Sequence, residues 1–360
     1  MMLKSKYLSV IFLLSSLILL AQVTSGYYDT AKNLADDNLK YELNQIIDNH
    51  TEFTYTSSNT DVWDILKETD RDPNNSDNVI LIYSGVSVNG AQEYNNANGW
   101  TREHVWAKSR GDFGTSTGIG TDVHALRPLD NTMNSARSNR SFNNCNSCED
   151  VTDKWGNTTG SKKDANAWSF EPRDEVKGDV ARMIFYMSVR YEGLDNYPDL
   201  ELTESMLPQS DKEPLHGVLF TLLEWHKNDP VDTWEENRND IIYYSYQNNR
   251  NPFIDFPELV EHIWGTKKGV NWTGEEVLSV TDLEGSDLII YPNPTTSIIS
   301  VKGLNTASDF AIYSVLGRKV FESRIDINNN TIDVSKLSGI YLVNIITKEK
   351  TFTKKIVINL

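Results

Sequence analysis

Apolar residues recur at helical spacing in three stretches of the chain: Leu39, Leu43, Ile46 and Ile47; Val180, Ile184, Met187 and Tyr191; and Leu215, Leu219, Leu222 and Leu223. Spacing of three and four lays such side chains along one face of a helix, so each stretch predicts a core-facing helix. The run from Asn78 to Tyr83 is apolar and short, as a buried strand would be. Beyond residue 287 the period changes. Ile298 to Val301, Phe310 to Tyr313 and Tyr341 to Ile345 alternate, with Asn, Gly and Ser turns between them, which predicts a β-fold. The expected class is α+β, with a mostly helical domain over 27–265, a linker over 266–286 and a small all-β sandwich over 287–360.

The first residues bear on compartment. Lys4 and Lys6 precede an apolar run from Tyr7 to Leu20, and small residues follow around Thr24 to Gly26. That run is short for a bilayer span, and its charged start reads as a signal peptide over 1–26. No other segment is apolar enough to span a membrane, so the chain is expected to be secreted, extracellular or at the cell surface.

One region gathers unusual chemistry. Trp100-Thr-Arg-Glu-His-Val-Trp106 is followed by Gly120-Thr-Asp-Val-His-Ala-Leu-Arg-Pro128 and Asn131-Thr-Met-Asn-Ser-Ala-Arg-Ser-Asn139. The first piece is predicted as a strand, Asp122 to Leu126 as a second, and Asp130 or Asn131 as the cap of a helix starting near Thr132. Neighbouring strand residues face opposite ways, so Glu103 and His104 share a site only where the strand ends or bulges. Imidazole is suited to deprotonating a water near neutral pH, which makes His104 the candidate general base. Glu103 and Asn134 offer oxygens to a hard divalent cation, Mg²⁺ before Zn²⁺, with Mn²⁺ or Ca²⁺ as substitutes. Arg102, Arg110 and Arg137 are candidate phosphate contacts, because guanidinium groups bind phosphate oxygens in pairs. Taken singly, Asn134 also reads as a cap or turn residue and Arg137 as a helix-surface charge. His124 reads either as a support for a neighbouring ligand or as a core histidine. Arg182 and Arg250 are either phosphate contacts or buried ion-pair partners.

The three segments together resemble the bacterial endonuclease I family, secreted or periplasmic nucleases with a ββα-metal, or His-Me finger, site. The resemblance continues through Lys177-Gly-Asp-Val-Ala-Arg182, Trp225-His-Lys-Asn-Asp-Pro-Val231, Arg238-Asn239, Asn249-Arg-Asn-Pro-Phe-Ile-Asp255 and Ile263-Trp-Gly265. It implies that His104 activates water, that Glu103 and Asn134 hold a single Mg²⁺, and that products carry 5′-phosphate and 3′-hydroxyl ends. Two departures stand out: Ala125 replaces the family's usual Asn after the His of Asp-Val-His, and the family's phosphate-binding arginine has no assigned counterpart. The tail motifs Ile290-Tyr-Pro-Asn-Pro-Thr295, Tyr313-Ser-Val-Leu-Gly-Arg318, Leu337-Ser-Gly-Ile-Tyr-Leu-Val343 and Lys354-Lys-Ile-Val-Ile358 resemble sorting domains of type IX secretion substrates. That likeness implies the secretion machinery as a partner; a carbohydrate-binding or spacer module is the alternative.

Cys145 and Cys148 are the only cysteines, which excludes a four-cysteine zinc site within one chain and favours a disulfide in an exported protein. A formal net charge of −17 argues at first against a nucleic-acid partner. Phosphate binding depends on local fields, however, and the segment from Arg102 to Arg140 has more basic than acidic residues. The expected function is a sequence-nonspecific, Mg²⁺-dependent endonuclease acting on DNA, with RNA as a second candidate substrate. The alternative is a catalytically inactive extracellular binding or adhesion protein that keeps the nuclease fold. A zinc hydrolase of another class lacks its His-Glu-x-x-His signature.

Overall fold

The computed structural model describes residues 23, 26–145, 147–274, 289–293, 295–304, 306–314, 319–347 and 351–358. The expected signal peptide lies almost wholly outside the described residues, as does the linker beyond residue 274. Among those described, no helix is long and apolar enough to cross a membrane. The chain forms two compact units that divide between Gly274 and Glu275.

The first unit is built around the helix Lys177–Arg190, whose residues from Gly178 onward are all buried. It is apolar over most of its circumference, so other elements cover it on every side. Among them are the helices Asp36–Ile47 and Leu219–Asn228. The third apolar stripe is helical only from Leu219, because Leu215 lies in the short strand Leu215–Val218. A second core cluster joins Trp63, Leu66, Val79, Trp100 and Leu126, with the rings of Trp63 and Trp100 meeting edge to face at 4.6 Å.

The expectation of a mostly helical domain is corrected. Strands occupy about as much of the chain as helices, and the first unit carries sheets of two to four strands. Several strands are polar and half-exposed, such as Thr158–Asp164, so they carry little hydrophobic alternation for a sequence reading to detect. The apolar stretch expected as one strand over 78–83 splits: the strand is Asn75–Ile80 and a turn follows. Packing of the first unit extends past residue 265. Trp272 is buried, its amide donates to the Leu34 carbonyl and its indole to Glu258, so the segment to residue 274 packs onto the unit.

The site segments form a strand, loop, strand, helix unit. Trp100–His104 pairs antiparallel with Leu126–Asp130, and Asn131–Arg137 is the helix. The second strand starts four residues later than expected, since the Asp122 carboxylate accepts from the His124 amide and turns Val123–Ala125 into a 3₁₀ segment. Asp130 caps the helix by accepting from the amides of Thr132 and Met133 at 2.9 and 3.0 Å, which satisfies two N-terminal donors. Arg127 ties the second strand to its surroundings through Asp70 at 2.5 Å and Asp179 at 3.1 Å.

The second unit has a three-stranded and a four-stranded sheet. Ile299, Val301 and Ile332 from the first pack with Phe310, Ile312, Val343 and Ile356 from the second in one core, the arrangement of a β-sandwich.

Two outcomes test this packing. Arg182 is fully buried and its guanidinium donates to both carboxylate oxygens of Glu235 at 2.7 and 2.5 Å. Removing one partner of such a pair strands the other charge, so Arg182→Met is expected to cost about 3–5 kcal/mol in urea unfolding; a loss under 1 kcal/mol would refute the pairing. His124 is buried, and burial first, with Arg238 adding, outweighs Asp122 and brings its pKa down to about 4. A histidine lowered in the folded state contributes stability that is present above its unfolded pKa of about 6.5 and is lost as pH falls toward the folded value. His124→Gln is therefore expected to lose less stability than the wild type between pH 6.5 and pH 4. Identical pH slopes for the two proteins would contradict this.

Candidate functional site

The strand Trp100–His104 ends at His104, which is one of the two local geometries that lets adjacent residues serve one site. Glu103, His104 and Asn134 all line a single cavity of about 410 Å³, together with Tyr55, Arg102, Lys108, Asn139 and Gln209. The antiparallel pair delivers the first two and the capped helix delivers Asn134.

Glu103 is almost wholly buried, at 3% exposure. Its Oε1 accepts from the Tyr83 hydroxyl at 2.8 Å and lies 3.1 Å from Arg137 Nε. The Arg137 contact is Coulombic rather than an aligned hydrogen bond, since Nε has no bonded partner in hydrogen-bond geometry. Both contacts fall on Oε1. Among the described residues, neither Oε2 nor the side-chain amide of Asn134 has a hydrogen-bond or ion-pair partner. Burial raises the Glu103 pKa, against the Arg137 charge and the Tyr83 hydrogen bond. An unpaired carboxylate oxygen and an unpaired amide on the wall of one cavity suit a hard cation, which takes oxygen ligands and keeps open positions for others. The chemistry of the donors therefore fits the metal expected from the sequence.

His104 Nε2 lies 3.0 Å from the Gly120 carbonyl oxygen. That oxygen only accepts, so Nε2 carries the proton and Nδ1 keeps a lone pair. The Tyr55 ring stacks on the imidazole at 5.6 Å and 25°. Burial, opposed by the Gly120 hydrogen bond and aided by Lys108, Arg102 and Arg137, lowers the His104 pKa to about 4. The ring is neutral at pH 7, as a general base has to be.

The three arginines expected to clamp phosphate are engaged elsewhere. Arg110 is fully buried and donates to the carbonyls of Asp211, Asn139 and Leu207. Arg137, also fully buried, donates to the carbonyls of Ser138 and Val105 and contacts His216. Arg102 reaches the cavity wall but is sandwiched between the rings of Tyr55 and Trp63, at 3.4 and 4.0 Å, and donates to the Tyr55 carbonyl and the Thr56 hydroxyl. A guanidinium has five donors, which irregular backbone with unpaired carbonyls can absorb. Arg250 forms ion pairs with Asp255 and Asp240, so both it and Arg182 are structural.

His124 is not brought to the cavity. Its Nε2 donates to the Asn249 carbonyl at 3.1 Å and its ring packs on Tyr186, which makes it a core histidine. Cys145 and Cys148 are joined in a disulfide. Tyr83 and Lys108 were not singled out by the sequence reading. Tyr83 sits in an apolar run that reads as core, and Lys108 differs from a surface lysine only by the cavity beside it. A separate group of carboxylates, Glu192, Asp199 and Glu201, is close enough together to hold a cation. The ammonium of Lys40 bonds to Glu192 and Glu201 there and already supplies positive charge.

The chain is similar to several known proteins. The "Extracellular ribonuclease" of Bacillus subtilis (strain 168) is 51% identical over 241 residues, covering 67% of this chain and 79% of that protein. The "Extracellular ribonuclease" of Bacillus amyloliquefaciens is 49% identical, covering 67% and 78%. "Endonuclease-1" of Buchnera aphidicola subsp. Baizongia pistaciae is 30% identical over 136 residues, covering 38% of this chain and 46% of that protein. Residues 289–359 match the secretion system C-terminal sorting domain, which marks a secreted or cell-surface protein. Residues 35–258 match the Endonuclease I family, and the chain belongs to that family of nucleases.

Proposed function

We propose that this protein is an extracellular, sequence-nonspecific, metal-dependent endonuclease that hydrolyses both RNA and DNA, leaving 5′-phosphate and 3′-hydroxyl ends. The observation that carries the reading is the meeting of a neutral imidazole, an unpaired carboxylate oxygen and an unpaired amide in one cavity. His104 Nδ1 takes the proton from the attacking water, and the Nε2 hydrogen bond to Gly120 fixes the ring while it does so. The negative scissile phosphate favours the protonated imidazole that results. Glu103 Oε2 and Asn134 would hold the cation, Mg²⁺ with Mn²⁺ or Ca²⁺ as substitutes. Bound there, a hard cation stabilises charge on the phosphate oxygens. The sorting domain would hand the chain to the secretion machinery.

Water as nucleophile makes the ribose 2′-hydroxyl unnecessary, so one site can act on either sugar. This accounts for relatives named ribonuclease and endonuclease alike. A reaction through the 2′-hydroxyl would instead leave a cyclic phosphate and spare DNA.

His104→Ala is expected to lower cleavage of single-stranded RNA and of plasmid DNA by about 10²–10⁴-fold with the fold intact, and EDTA is expected to abolish both activities. Mass spectrometry of RNA fragments decides the nucleophile: 5′-phosphates support attack by water, and 2′,3′-cyclic ends would overturn it. Well-folded protein that cleaves neither polymer with any divalent cation would favour the inactive binding protein.

Tyr83→Phe removes the hydrogen bond that occupies Glu103 Oε1. Loss of such an orienting partner commonly costs about 10–100-fold in metal affinity. Titration of Mn²⁺ into nucleic-acid-free protein, followed by electron paramagnetic resonance, should show this weakening; unchanged affinity would mean that Tyr83 only fills space.

A further inference from the structure

Phosphate binding needs a cation that is both near the cavity and free to contact substrate. Six basic residues lie between positions 102 and 140: Arg102, Lys108, Arg110, Arg127, Arg137 and Arg140. Five are buried and engaged. Arg102, Arg110 and Arg137 serve aromatic faces and backbone carbonyls as described above, and Arg127 is paired with Asp70 and Asp179. Arg140, at 7% exposure, donates to the Ala136 carbonyl and lies over the Trp168 ring at 3.9 Å.

Lys108 differs in every respect. It lines the same cavity as Glu103, His104 and Asn134, its side chain is exposed, and its ammonium has no hydrogen bond or ion pair with the described residues. Its backbone is held, since its carbonyl accepts from the Phe113 amide at 3.2 Å. Other lining residues are held too: Asn139 donates to Ser109 Oγ and to the Gln209 carbonyl, while Arg110 pins the carbonyls of Leu207 and Asp211 on either side of Gln209. An exposed, unpaired charge thus stands on the wall of a braced cavity.

We infer that Lys108 is the residue that contacts the substrate phosphate, through its unpaired ammonium at the rim of the cavity formed by Glu103, His104 and Asn134. This rests on the nuclease reading above and names the group that anchors the backbone in it. A lysine is a compact point charge on a flexible stem and imposes no planar two-point geometry on the phosphate. It follows a phosphate through changes of geometry and reads neither base nor sugar. Nucleic acids of both kinds should therefore gain the same increment of binding from it.

The test measures binding of a fluorescein-labelled, single-stranded 16-nucleotide DNA by the full secreted chain, in EDTA to prevent cleavage. The wild type, Lys108→Met and Lys108→Arg are titrated at several NaCl concentrations. One phosphate contact on a single strand contributes about 0.7 to the slope of log affinity against log salt. Lys108→Met is expected to bind more weakly and to lose about that much slope, while Lys108→Arg keeps the wild-type slope. With Mg²⁺ present, Lys108→Met should raise KM for RNA and DNA by similar factors. An unchanged slope in Lys108→Met, at unchanged melting temperature, overturns the assignment even if the wild type is an active nuclease. Loss of slope in a wild type that binds but never cleaves would keep Lys108 as a phosphate contact and reject the nuclease reading. No salt-sensitive binding by the wild type would overturn both.

Discussion

A carboxylate removed from water has to be compensated, and the site is arranged around how Glu103 is compensated. A buried charge with no partner is costly, yet a carboxylate with both oxygens occupied has nothing to give a cation. Here Tyr83 and Arg137 meet Oε1 alone. One oxygen carries the compensation and the other stays available. The division depends on three separate parts of the chain: the turn region after strand Asn75–Ile80 supplies Tyr83, the end of strand Trp100–His104 supplies Glu103, and the last turn of helix Asn131–Arg137 supplies Arg137. The same helix presents Asn134 to the cavity while Arg137, three residues on, reaches beneath it. One short helix thereby places both a candidate ligand, Asn134, and the counter-charge beside the other candidate, Glu103.

Much of this was legible in the sequence because it is local. A cap at Asp130 or Asn131 and the helix after it follow from side chains within a few residues of one another, whereas the first strand, expected over 100–106, stops at His104. The second strand was misplaced because the Asp122 side chain competes with the strand for the backbone at residues 123–125. The helical character of the domain was overestimated for a related reason. Amphipathic helices announce themselves by period, whereas polar strands such as Thr158–Asp164 are fixed by tertiary pairing with Glu149–Thr152 and Ser169–Glu171. Tyr83 escaped notice because nothing in an apolar run marks which hydroxyl will meet a carboxylate twenty residues away.

The arginines show the limit most clearly. Clustered around a candidate metal site they read as phosphate clamps, since guanidinium chemistry suits that task. The same chemistry suits another need. A domain with small sheets and long connections leaves many carbonyls without amide partners, and a weakly hydrated group with five donors can satisfy several of them at once. Arg110 and Arg137 do so beside the cavity, Arg173 does so for Ile82, and Arg238 for Val123 and Leu126. Residue type and spacing are the same for both uses. Only burial separates them, and burial is a property of the whole fold.

This inward use of arginine changes what the net charge means. The sequence suggested a basic patch at the site within an acidic protein, but most of the local positive charge is folded away. The surface that nucleic acid meets is correspondingly less positive, so long-range attraction contributes little and is screened further by salt. On the proposed reading, contact comes from the cavity itself: Lys108 on its wall and the cation that Glu103 and Asn134 would hold. A site so arranged would bind the polymer where a phosphodiester enters the cavity. For an exported nuclease meeting long polyanions, weak attraction outside the cavity would keep product from holding the protein.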